Sequence, residues 1–109
     1  MAEESTEDLV SQFQSMQQQM QTVLIQKESL KLQNLEIERA LEELGKTDQK
    51  TAYKISGQIM ISKNVEELKK ELEETKENVD LKIKSLEKAE EKVNNKLKEL
   101  QTTLKERIR

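Results

Sequence analysis

The chain contains no cysteine, no histidine, no proline and no tryptophan, and only two glycines, one tyrosine and one phenylalanine among 109 residues. Each absence removes a class of chemistry or structure. Without cysteine there is no disulfide framework, no thiolate nucleophile and no zinc-thiolate site. Without histidine there is no imidazole metal ligand and no side chain poised to titrate near neutral pH. With only Gly45 and Gly57, a glycine-rich phosphate loop cannot be built. Aromatic residues are 2% of the chain, too few for an ordinary globular core. Apolar runs are short, so no membrane span is expected. The start, Met1-Ala2-Glu3-Glu4, is acidic and lacks an apolar segment, so a secretory signal is not expected there either.

What is present is charge. Charged residues make up 38% of the chain and nearly cancel, leaving a net charge of −3. A slightly acidic, well-mixed surface makes a poor nucleic-acid binder. High charge without proline suits either long helices or disorder, and periodicity decides between them.

From Thr6 to Leu44 a heptad repeat holds. Thr6, Phe13, Met20, Lys27, Asn34 and Leu41 take one seam position; Leu9, Met16, Val23, Leu30, Ile37 and Leu44 take the other. Nine of these twelve are apolar, against about four expected from a composition that is 33% hydrophobic. The excess predicts a helix over 6–45, with Gly45 as its left-handed terminating residue. The glutamines from Gln12 to Gln21 fall mostly off the seam and read as a solvated helical face.

A second repeat starts after Asn64, which is placed to cap a helix ahead of Glu66 and Glu67. It runs through Val65, Leu68, Leu72, Thr75, Val79, Ile83, Leu86, Glu90, Val93, Leu97, Leu100 and Leu104. Two successive steps of four at Thr75, Val79 and Ile83 form a stutter, which unwinds a supercoil locally. The second helix is expected over 64–109, with Lys105, Arg107 and Arg109 matching the sign of its dipole.

Between the helices the period changes to two. Tyr53 and Ile55 alternate with Lys54 and Ser56, and Ile59 and Ile61 follow Gly57. This is a β-hairpin signal over 51–62. A three-residue loop, Ser56-Gly57-Gln58, would put Tyr53, Ile55, Ile59 and Ile61 on a single face. A lone two-stranded hairpin is marginal in water, so Tyr53, Ile55, Ile59, Met60 and Ile61 are candidate oligomerisation residues. The expected architecture is mainly α: one domain over 1–109, in which a long antiparallel two-helix coiled coil carries one β-hairpin between its helices.

Folding back antiparallel sets Leu44 against Val65 and Asn34 beside Thr75, whose polar groups are expected to meet and fix the register. Toward the chain ends, Val10, Phe13, Met16 and Met20 approach Val93, Leu97, Leu100, Leu104 and Ile108. Two helices cover such side chains only in part, and methionine adapts to varied partners. These nine residues are the candidate binding surface.

No catalytic constellation is visible. Serine and threonine have no histidine to activate them, and carboxylates such as Glu67 and Glu71 read as helical partners of lysine. The chain is read as a non-enzyme without metal or cofactor. Binding of one folded partner by a structural coiled-coil tether is an alternative function. Suppression of aggregation of a denatured protein would separate such a tether from a chain whose exposed apolar seam holds unfolded proteins.

The order of long helix, single hairpin and long helix resembles the β class of prefoldin subunits. The residues that carry the resemblance are the glutamine-rich stretch Gln12 to Gln21, Leu41-Glu42-Glu43-Leu44, the segment Ala52 to Ile61 and Leu86-Glu87-Lys88. The family commonly has a second glycine beside the turn, where this chain has Gln58. The resemblance implies a cytoplasmic, ATP-independent chaperone in which two α-class and four β-class subunits join into a hexamer. Their hairpins would form an intersubunit β-barrel. Unfolded client proteins would be held at the coiled-coil tips and passed to a group II chaperonin. The chain is similar to the archaeal form, in which one β-class protein fills four places.

Overall fold

The computed structural model describes residues 5–108. Met1 to Glu4, and Arg109 with its expected dipole role, lie outside the described residues. Four elements follow in order: α1 (Thr6–Lys46), β1 (Thr51–Ser56), β2 (Ile59–Asn64) and α2 (Val65–Ile108). They divide into two compact units. The first joins Met1–Ser29 with Ile83–Arg109, and the second is Leu30–Lys82.

Helix α1 starts where a serine can cap it. Ser5 Oγ accepts the Asp8 N–H at 3.1 Å, and the Ser5 carbonyl accepts Leu9 N–H at 3.1 Å. Glu7 and Asp8 in the first turn and Lys46 in the last complement the dipole. Gly45 corrects the expectation: the helix continues through it to Lys46, and its φ is not positive. A glycine tolerates left-handed backbone but does not impose it.

Helix α2 begins without a connecting loop. Asn64 is at once the last residue of β2 and the cap, its Oδ1 accepting N–H groups of Glu66 at 2.9 Å and Glu67 at 3.4 Å. The Val65 N–H reaches back to the Lys50 carbonyl at 2.9 Å, closing the base of the hairpin.

Within each unit α1 and α2 run antiparallel. In the first unit the core is Leu9 and Leu100, the latter only 3% exposed. In the second it is Ile37, Val65, Leu68 and Val79, with Val79 also at 3%. All six are positions of the two predicted stripes, so the heptad pattern located the core.

The hairpin register differs from expectation by one residue. Thr51 pairs with Asn64, Tyr53 with Ser62, Lys54 with Ile61, Ile55 with Met60 and Ser56 with Ile59. The loop is therefore two residues, Gly57 and Gln58. Gly57 has φ +62°, and Gln58 has no positive φ. Positive φ at the first loop position alone is the type II′ pattern, whose twist matches that of the strands. One residue of slip reverses faces. Tyr53, Ile55 and Met60 share one face, while Ile59 and Ile61 share the other with Ala52, Lys54 and Lys63. The single apolar face of the three-residue loop does not form.

Candidate interaction surfaces

The two candidate surfaces fall one in each unit. The hairpin carries the first. Tyr53, Ile55, Ile59, Met60 and Ile61 are all exposed, from 72% at Ile55 down to 43% at Ile61. Ile61, paired across the sheet with Lys54, is the most covered of the five. Lys54 and Lys63, on the same face as Ile61, both reach Glu71 of α2. Lys54 Nζ donates to Glu71 Oε1 and Lys63 Nζ to Oε2, each at 2.6 Å. These two hydrogen bonds, Lys54 first, hold the Glu71 carboxyl down at about 2, against an ordinary 4.5. Glu71 is thus not a lysine partner along its own helix, as the sequence suggested. Its lysines come from two strands, a pairing that no helical spacing rule can find.

The second surface lies along the first unit. Val10 is 39% exposed and Ile108 76%. Phe13, Met16, Met20, Val93, Leu97 and Leu104 are half-buried. Leu100 differs from the rest of the expected set in being buried, only 3% exposed. It lines the floor of a shallow groove with Leu9, Gln12, Lys96, Glu99 and Thr103. A second groove lies between Ser15, Gln19 and Thr22 on one helix and Ala89 and Val93 on the other.

Polar links join the helices within the two predicted stripes and at their edges. Lys27 Nζ donates to Glu90 Oε2 at 2.6 Å, and that hydrogen bond raises the Lys27 pKa. Asn34 Nδ2 donates to Asp80 Oδ1 at 2.6 Å, while Thr75 Oγ1 donates to the Glu71 carbonyl on its own helix at 2.9 Å. The expected bond between Asn34 and Thr75 is therefore not made. The reason is geometric. Side chains lean toward the N-terminus of their own helix, so in an antiparallel pair they lean toward each other and meet partners beyond the layer directly opposite. Lys76 completes the set, 3.3 Å from Asp80 and 3.6 Å from Glu38. The Asp80 hydrogen bond, then Glu38, raises the Lys76 pKa.

Exposed apolar residues off the seam were not anticipated: Leu24, Ile25, Leu32, Leu35 and Leu81. The run Val23-Leu24-Ile25 was the visible signal for two of them. Among the described residues no helix is long and apolar enough to cross a membrane.

The described residues form two long helices interrupted by a single antiparallel hairpin, with apolar side chains exposed on the hairpin and along the helices. The chain belongs to the prefoldin subunit family, which it matches over residues 7–109. It is similar to prefoldin subunit beta of Archaeoglobus fulgidus, at 40% identity over 71% of this chain and 67% of that protein. It is also similar to prefoldin subunit beta of Pyrobaculum islandicum, at 38% identity over 71% of this chain. That match spans 62% of the relative's length. Among solved structures, the prefoldin beta subunit from Thermococcus strain KS-1 superposes with a TM-score of 0.85 at 30% identity, covering 95% of this chain and 92% of that one. The β-class resemblance read from the helix–hairpin–helix order is thereby established, and the family implies a chaperone role.

Proposed function

We propose that this chain is a β-class subunit of a cytoplasmic, ATP-independent chaperone that holds unfolded proteins. It would assemble through its hairpin into a hexamer of two α-class and four β-class subunits and deliver clients to a group II chaperonin. It would act without enzymatic activity or cofactor. The observation that carries this reading is the half-covered seam of the first unit. Phe13, Met16, Met20, Val93, Leu97 and Leu104 are neither buried as a core nor replaced by charge.

An unfolded client presents apolar segments of no fixed shape. Met and Leu side chains that are already partly covered offer it weak, adaptable contacts, each worth about 1–2 kcal/mol at roughly 25 cal/mol per Å². Several subunits acting together make such contacts useful by multivalency. The charged flanks keep the surface soluble. Val10 and Ile108 supply the accessible part of the surface, and Leu100 supports it from beneath.

Because Leu100 is core, the test uses substitutions and leaves the helix ends in place. The chain carrying Val10→Ser, Met16→Gln and Ile108→Ser is assembled with a prefoldin α-class subunit and mixed with a chemically denatured client. The expected result is an assembly of unchanged mass that no longer suppresses light scattering. Protection equal to that of the parent would place client binding elsewhere.

A further inference from the structure

We propose that Glu71 is a strut that fixes the inclination of the hairpin on α2. Its two carboxylate oxygens are occupied separately, Oε1 by Lys54 of β1 and Oε2 by Lys63 of β2, each at 2.6 Å. Lys54 pairs across the sheet with Ile61, and Lys63 with Ala52, so both lysines project from the same sheet face. One carboxylate therefore ties two strands and a helix together.

Its position gives it leverage. At the base, the hairpin is joined to α2 covalently at Asn64–Val65 and by the Val65 N–H to Lys50 carbonyl hydrogen bond. Ties at a base fix where a hairpin stands but leave its tilt soft. Glu71 lies six residues into α2, about 9 Å along the helix axis, and opposes that tilt. It also decides which face of the hairpin is presented outward: with Lys54 and Lys63 drawn to α2, Tyr53, Ile55 and Met60 point away. The strut belongs to the single chain whether or not hairpins assemble. Its consequence for assembly, a fixed direction of presentation, rests on the function proposed above.

The groups sit 31–43% exposed at their side chains, so salt screens them. Pairs of this kind change an equilibrium by up to about fivefold each, which suffices to narrow or broaden a tilt. The absence of cysteine makes the measurement direct. Spin labels are placed on cysteines introduced at Gln58 in the turn and Asn78 on α2, in the full chain diluted with unlabelled chain. Pulsed dipolar spectroscopy then reads the turn-to-helix distance distribution.

The parent is expected to give one narrow distribution. Glu71→Gln, which cannot accept from both lysines equally, is expected to broaden it about twofold, and Lys54→Gln is expected to do the same. Raising salt to about 1 M, where the Debye length is roughly 3 Å, should broaden the parent and leave Glu71→Gln unchanged. Distributions as narrow in both variants as in the parent would overturn the strut. Because the reading comes from the single chain, it stands apart from any failure to assemble or to protect clients.

Discussion

Lys27 and Glu90 meet at 2.6 Å, and they are the only charged residues in the two heptad stripes read from the sequence. The lysine side chain is 13% exposed and the glutamate 30%. Two positions that look like defects when each helix is read alone are one interaction when the helices are paired. Removing one partner leaves the other charge in the seam, whereas replacing both extends the apolar stripe. Glu90→Leu is therefore expected to lower the melting temperature. Lys27→Leu with Glu90→Leu is expected to recover the parent value or exceed it, as followed by circular dichroism. A double variant less stable than the single would show that the pair contributes more than its geometry suggests.

Asn34 makes a different bargain with the seam. Its amide nitrogen donates to Asp80, but its Oδ1 is buried without a hydrogen-bond partner. An orphaned buried acceptor costs about 1–3 kcal/mol. Asn34→Leu removes that cost but also the hydrogen bond to Asp80. Because Asp80 is 46% exposed and keeps Lys76, stability should still rise, by less than that amount, at the expense of the polar layer that specifies register. The check is a urea titration, with the pairing register followed by disulfide trapping between introduced cysteines.

The outward face of the hairpin predicts the outcome of a second pair of substitutions. Ile55 and Met60 are direct cross-strand neighbours and both are largely exposed. If hairpins assemble through this face, Ile55→Asp with Met60→Asp would bury two charges without partners. The expected result is loss of association with a prefoldin α-class subunit in analytical ultracentrifugation, with helix content kept. An unchanged sedimentation coefficient would exclude this face from the interface.

The strut predicts an acid-side dependence. Glu71 is held at about 2 in the folded chain and has an ordinary value of 4.5. A depressed carboxylate contributes stability that is whole above its unfolded value and is lost as pH falls toward the folded value. The Glu71 contribution should therefore be intact at neutral pH and disappear between about pH 4.5 and 2. For Lys27 and Lys76, whose values are raised, the sign is opposite: their contributions hold below 10.5 and fade as pH rises past it. Amide exchange of the hairpin, compared between parent and Glu71→Gln, should differ at neutral pH and converge as acid is added. A constant difference across that range would remove Glu71 as the titrating group.

The elements themselves were legible because each announces its period over many residues. Twelve stripe positions per helix outvote the exceptions, and the switch to alternation at Tyr53 and Ile55 marks the hairpin unambiguously. What the sequence could not fix were choices separated by one residue or by one rotamer. A two-residue loop and a three-residue loop use the same Gly57, yet they divide the apolar side chains between faces differently. Gly45 had the composition of a helix terminator but stands inside the last turn. Glu71 could have paired along its own helix or across to the strands, and helical spacing carries no information about the strand lysines it meets. Among the candidate contact residues, Leu100 occupies a stripe position like its neighbours. Its burial depends on how closely the two helices approach there, which a repeat pattern does not encode.

The two ends of the hairpin are built to different tolerances. Between Lys46 and Thr51 the chain has four exposed residues, held locally by the Gln49 N–H to Thr47 Oγ1 bond of 3.2 Å. Between Asn64 and Val65 it has none. An added residue in the first connector would be absorbed as slack. The same residue at the second junction would turn all of α2 by about 100° about its axis, carrying the apolar stripe away from α1 and Glu71 away from its lysines. Length variation and inserted tags therefore belong on the α1 side of the hairpin, while the β2–α2 junction acts as the phase reference for the second helix.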